Sequence, residues 1–150
     1  IIVDHIGLMK LGKNVAHHLA LGDISRELKG LAKDIEVPVL ILSQVVGKQI
    51  MQRALSDRIP RAQDIKDSSR IEEDADLIVM THRQLTHDEK APNIAEWVLV
   101  KARHAIKDTK VYHRFIDGHF CATSQQHAKE EMDKYYDSLG NSRQQAPKGF

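Results

Sequence analysis

Two short runs that are apolar at every position, residues 1–3 and 39–42, flank a stretch in which Leu21, Ile24, Leu28, Leu31 and Ile35 recur at spacings of three and four. That recurrence puts these side chains on one stripe of an amphipathic helix ending near Glu36. Gly30 weakens the helix without ending it. A continuously apolar run is what a strand covered on both faces requires. Two such strands joined by a helix make a parallel unit, because parallel neighbours need a crossover of about a dozen residues or more. The chain is therefore expected to be α/β, with a parallel pair at its centre.

A third apolar run, residues 77–80, is expected to lie parallel beside the first two. Residues 94–100 and 111–116 are rich in β-branched and aromatic side chains and are separated by a short gap, so they are read as antiparallel neighbours at one edge of a mixed sheet. Asp117 and Gly118 turn the chain into a last short strand containing Phe120. Residues 45–67 show no clean period and are read as a long loop, and residues 68–75 as a short helix with Ser68 or Ser69 near its N-cap. The division expected is a main domain over residues 1–122, a C-terminal helix over 123–139 and a polar, disordered tail over 140–150.

Of the 150 residues 41% are hydrophobic, enough for one domain with a core. Lys and Arg (22) balance Asp and Glu (21), so any basic site must come from local arrangement and not from overall charge. A single cysteine, Cys121, excludes an internal disulfide framework and fits a reducing, cytoplasmic setting. No apolar run approaches the roughly 20 residues that cross a bilayer. The chain starts without Met and inside an apolar run, which suggests a cut through a buried strand and hence a fragment.

Asp4 closes the first strand and Gln44 the second. A carboxylate at the C-terminal end of a buried strand faces the crevice where α/β folds bind ligands, and P-loop NTPases use one there to hold Mg²⁺ beside nucleotide phosphates. A strand-end Asp also serves in caps and turns. A neutral amide can sense a γ-phosphate or position water, and is as often a solvated loop residue. The nine histidines are scattered, and the adjacent His17 and His18 do not share a helix face, so they form no metal site. Trp97, among apolar neighbours, reads as core and not as a base-stacking platform.

Three stretches in this order, together with a later Lys-x-Arg, resemble the DnaB family of hexameric helicases. Ile1, Ile2, Val3 and Asp4, with Ile6, Gly7, Leu8 and Met9, resemble the family's Walker B strand and the segment after it. Ile24, Ser25, Arg26, Leu28, Lys29, Leu31, Ala32 and Lys33, then Val37, Pro38, Val39, Leu42, Ser43 and Gln44, resemble the next helix and the third helicase motif. The run from Asp64 through Lys66, Asp67, Ser68, Ser69 and Arg70 to Asp76 resembles the fourth, and Lys101 with Arg103 the family's Lys-x-Arg. The resemblance covers roughly residues 1–120. It implies the C-terminal part of a RecA-like ATPase domain, with ATP and Mg²⁺ as cofactors. Asp4 would be the metal ligand, Gln44 a catalytic sensor, and Arg103 a finger reaching a neighbouring subunit's nucleotide with Lys101 as a second cation. Lys66, Asp67, Ser68, Ser69 and Arg70 would grip the backbone of single-stranded DNA in the channel of a homo-hexamer. Primase and a helicase loader would be partners, in the cytoplasm of a bacterium or of a phage's host.

The family usually carries Arg, Glu and Gly at Lys66, Asp67 and Ser69, and Gly at Ala105. Charge signs survive these changes and glycine's backbone freedom does not. No G-x-x-x-x-G-K-[ST] pattern occurs in the chain, and the family's catalytic glutamate would precede Ile1. This segment alone is therefore expected neither to bind ATP tightly nor to hydrolyse it. Two other readings stay open at the level of sequence: a non-catalytic helicase-like module that inserts into a ring or binds single-stranded DNA, and a recombinase of the RecA and RadA group.

Overall fold

The computed structural model describes residues 1–9, 17–65, 68–104 and 109–144. The expected parallel unit is present: β1 (Ile2–Val3) pairs in parallel with β2 (Leu40–Ile41), Ile2 opposite Leu40 and Val3 opposite Ile41. Between them runs α1 (His17–Asp34), continuous through Gly30. Its apolar stripe packs Leu21 and Ile24 with Ile6, Ile41 and Ile71, so the helix covers one side of the strand pair. Leu31 and Ile35 farther along the stripe, and Ile2 and Leu40 on the strands, are exposed, so the pair is not covered on both faces as its apolar runs suggest.

The long segment after β2 is partly helical, with α2 (Gly47–Met51) and two single 3-10 turns, Leu55–Asp57 and Ala62–Asp64. It is not the unstructured loop its lack of period suggests, because isolated buried residues, Ile50 and Asp64, hold it and such residues leave no repeat to read. It ends at α3 (Ser68–Asp74). Here α1 and α3 approach closely, and a Cβ on Gly22 would collide with the Arg70 side chain.

β3 (Leu77–Arg83) departs from expectation. It pairs antiparallel with β4 (Ile94–Ala102), and among the described residues it shares no ladder with β1 or β2. Its apolar run looks like a strand buried on both faces, yet Ile78 and Met80 are buried while Leu77 and Val79 are exposed, so only one face is covered. β4 pairs antiparallel with β5 (Thr109–Ile116), and β5 with β6 (His119–Cys121). The turn into β6 has positive φ at Asp117 (49°) and Gly118 (82°), the two-residue hairpin geometry that Asp-Gly favours.

α4 (Gln125–Gln144) lies on this second sheet through Ala128, Met132 and Tyr135, which bury against Ala91, Ile94 and Tyr112. The helix runs past Leu139 and Gly140 into the stretch read as a tail, because one glycine costs only about 1 kcal/mol in a helix. Among the described residues no helix is long and apolar enough to cross a membrane.

The end of β3 carries a titratable core. His82 is buried, its Nε2 2.7 Å from Gln84 Oε1, and the Gln84 amide donates to the Leu55 carbonyl at 2.8 Å. Burial holds the His82 pKa below its usual 6.5, against the opposing effect of the Gln84 bond. A depressed histidine pKa means that the unfolded chain binds the proton first. The stability it contributes is complete above about pH 6.5 and is lost as pH falls through the lower folded value. Urea unfolding midpoints should therefore drop on mild acidification, and the drop should be shallower in His82→Gln. Parallel pH profiles for the two proteins would count against this account.

Candidate nucleotide and DNA site

The parallel pairing of β1 with β2 places their C-terminal ends together. The ladder continues past the strands, with the Leu42 N–H donating to Val3 at 2.9 Å and the Ile6 N–H to Leu42 at 3.1 Å. Asp4 and Gln44 consequently stand at the same end of the sheet. The Gln44 amide nitrogen is 3.4 Å from His5 Nε2, while His5 Nδ1 accepts the Gly7 N–H at 3.2 Å. A neutral ring accepting at Nδ1 has its proton on Nε2, so the contact becomes a hydrogen bond only when the amide turns its oxygen inward. Gln44 is exposed, with this long contact to His5 as its side-chain interaction shown among the described residues. His5 has no signature of its own, and only the strand pairing reveals it as Gln44's neighbour.

Asp4 is an exposed carboxylate at a strand end. Mg²⁺ shared with a nucleotide is held through one or two carboxylates plus phosphate oxygens, and Asp4 fits as such a ligand.

Lys101 and Arg103 come together at the other end of the chain's site residues, on the C-terminal turn of α3. The Lys101 ammonium donates to the Glu72 carbonyl and, at 3.2 Å, to that of Glu73. Those carbonyls have no partner within the helix and carry the negative end of its dipole, so Lys101 acts as a C-terminal cap. Arg103 donates to the Glu73 carbonyl at 2.9 Å, and its Nε lies 3.2 Å from Asp76 Oδ1. Asp76 also pairs with Lys29 of α1. The Lys29 bond, outweighing slight desolvation and helped by the charges of Lys29 and Arg103, holds the Asp76 carboxyl below its usual pKa. The Arg103 side chain remains 48% exposed. Exposed ion pairs are worth about 0–1 kcal/mol, so Arg103 can leave Asp76 at little cost, whereas Lys101 is committed to the helix end.

Of the residues expected to grip DNA, Lys66 and Asp67 lie outside the described residues. Ser68 opens α3, Ser69 is exposed, and the Arg70 guanidinium pairs with Asp23 at 2.9 Å, again at the surface. Trp97 packs edge-on to Phe120 at 5.3 Å between ring centres and tilts against His113 at 4.7 Å. Trp97 is only half-buried and Phe120 is 49% exposed, so this aromatic cluster lies on a partly open part of the sheet and Trp97 is not the core residue its apolar neighbours suggest.

The family model for the DnaB-like helicase C-terminal domain matches residues 1–118. The chain belongs to this family. Its fold is the RecA-like α/β fold of DnaB-like helicase ATPase domains. Replicative DNA helicase DnaB of Leifsonia xyli subsp. xyli is 36% identical over 126 residues, covering 78% of this chain and 27% of that protein. The protein of the same description from Pasteurella multocida is 38% identical over 107 residues, covering 69% of this chain and 22% of that one. A solved structure of a DnaB-like replicative helicase and its interactions with primase superposes with a TM-score of 0.74 at 30% identity, over 82% of this chain and 30% of that one. A solved ATPase domain matches with the same score and identity. This chain thus spans less than a third of the length of those two DnaB proteins. The match favours the DnaB-type helicase over the RecA and RadA recombinases, and every candidate site residue falls within it. α4 lies beyond it.

Proposed function

We propose that this segment is the nucleotide-sensing and DNA-gripping part of an ATP-driven replicative helicase that moves along single-stranded DNA as a hexameric ring. The observation that carries this reading is the convergence of Asp4 and Gln44 at one end of a parallel strand pair, in a chain of the DnaB-like family. Asp4 would hold Mg²⁺, which neutralises charge on the nucleotide phosphates when bound. Gln44 would exchange the His5 ring for a γ-phosphate or an attacking water. Arg103 would leave Asp76 and reach the nucleotide of the adjacent subunit. Lys101, the second cation of the pair, would fix the end of α3 from which Arg103 departs, its charge committed there by the Glu72 and Glu73 carbonyls. A segment with these parts and no phosphate-binding loop of its own sequence would be inactive alone. Primase and a loader would meet the assembled ring, in the cytoplasm.

Residues 66–70 would grip phosphates without reading bases, so their contribution should be electrostatic and indifferent to sequence. In a full-length hexamer, Lys66→Ala and Arg70→Ala should each weaken single-stranded DNA binding similarly for all sequences and reduce the salt slope by about one. Fluorescence anisotropy over a salt series measures both quantities. An unchanged affinity and slope in both variants would remove this segment from the DNA path.

A further inference from the structure

Asp64 is fully buried at 0% exposure, and neither the proposed nucleotide site nor the DNA contacts use it. Its carboxylate takes the Arg53 guanidinium on one oxygen and the Arg61 backbone N–H, at 2.7 Å, on the other. Its carbonyl accepts the Val46 N–H at 2.7 Å, and the next residue, Ile65, forms an antiparallel bridge with Val45. Residues 47–63 are therefore a loop pinned shut at its mouth. Arg53 spans the loop from inside and also reaches the Ile59 carbonyl at 3.4 Å.

The two sides of that mouth lead to different parts of the site. Val45 directly follows Gln44. Ile65 packs on Ile78 and Met80 of β3 and precedes α3, which carries Ser69 and Arg70. A buried ion pair stabilises a fold no better than well-packed apolar residues would, so simple closure of the loop does not account for one here. What the pair adds is direction: a carboxylate forked between a guanidinium and a backbone N–H fixes the aim of the Asp64 carbonyl at Val46.

We propose that Asp64 and Arg53 are positioning residues that lock the Gln44 strand end to the start of α3, so that DNA at α3 and nucleotide at Gln44 act on each other. This rests on the helicase reading above. The pair touches neither ligand, so its loss should leave each site's own affinity in place and remove the communication between them.

The test uses the full-length protein, with poly-dT oligonucleotide as the DNA. ATP hydrolysis is measured with and without saturating DNA, and DNA affinity separately. Asp64→Asn, nearly isosteric, and Arg53→Lys, which keeps the charge and loses the fork, should each hold DNA-free hydrolysis and DNA affinity within about twofold. Stimulation by DNA should fall about tenfold, within the usual range of coupling between sites. Arg70→Ala is the contrast and should lower DNA affinity instead. Full stimulation in both clasp variants overturns the proposal. So does an equal loss of DNA-free and DNA-stimulated rates, which marks the pair as merely structural. If the unsubstituted protein is not stimulated by poly-dT, or Lys66→Ala and Arg70→Ala both leave DNA affinity intact, the DNA-gripping reading fails and the proposal goes with it.

Discussion

Replacing Arg103 with Ala in a full-length protein carrying this segment should lower ATP hydrolysis by roughly a thousand-fold or more, the usual cost of removing an arginine finger. Each subunit should stay folded and still bind nucleotide. The size of the effect follows from chemistry: charge spreads over the transferred phosphoryl oxygens, and no nearby group replaces a planar, delocalised cation with two parallel donors. Arg103→Lys should therefore fail to restore the rate. Stability should barely change, because the pairing of Arg103 with Asp76 is an exposed one, worth about 0–1 kcal/mol. Mixing Arg103→Ala subunits with subunits disabled only in their phosphate-binding loop tests the geometry between subunits. Some mixed interfaces would join an intact loop to an intact finger and recover activity. Near-normal hydrolysis by Arg103→Ala alone, with single-stranded DNA present, would show that the arginine's place is the one it occupies against Asp76.

What could be read from the sequence, and what could not, divides along physical lines. Asp4 and Gln44 were legible as neighbours because strand, helix and strand in succession force a parallel pair, and parallel strands end together. Arg103 was legible as the residue just beyond β4, but its partners Glu73 and Asp76 were not, since antiparallel pairing brings residues nearly 30 positions apart together without a periodic trace. Leu77, Ile78, Val79 and Met80 are equally apolar in sequence, so nothing distinguished the covered side of β3 from its open side. The clasp at Asp64 was invisible for a different reason. A charged residue in an aperiodic stretch reads as solvated until its partner is known, and Arg53 lies eleven residues away across two turns. α4 was recognisable as a helix but not as a structural layer, because Met132 and Tyr135 gain their meaning only from Ile94 and Tyr112 beneath them.

The second large effect is expected at Lys110, where removal of a half-exposed lysine should destabilise the chain more than removal of the buried acid it serves. Glu96 lies in β4 at 1% exposure, with the Lys110 ammonium 3.1 Å away and the Tyr136 hydroxyl donating to it at 2.8 Å. Burial, reinforced by the charge of Glu96 and its hydrogen bond, raises the Tyr136 pKa, so this tyrosine stays a donor at neutral pH. The lysine side chain is 34% exposed. Lys110→Met strands a carboxylate beneath α4 with a single neutral donor, and breaking a buried pair in this way costs about 3–5 kcal/mol. The partial exposure of the pair places the expected value near the lower end. Glu96→Gln keeps a group that can accept the Tyr136 hydroxyl and frees a lysine that can turn to water, for a cost of about 1 kcal/mol. The double variant Lys110→Met with Glu96→Gln should then recover most of the loss, since it buries no charge. Urea unfolding of the four proteins gives the cycle. Equal costs for the two single variants, or a double variant no more stable than Lys110→Met, would mean that the carboxylate does not depend on the lysine. The same measurement bears on function, because β4 ends at the residue before Arg103, and the Glu96 contacts to β5 and α4 hold that strand in place.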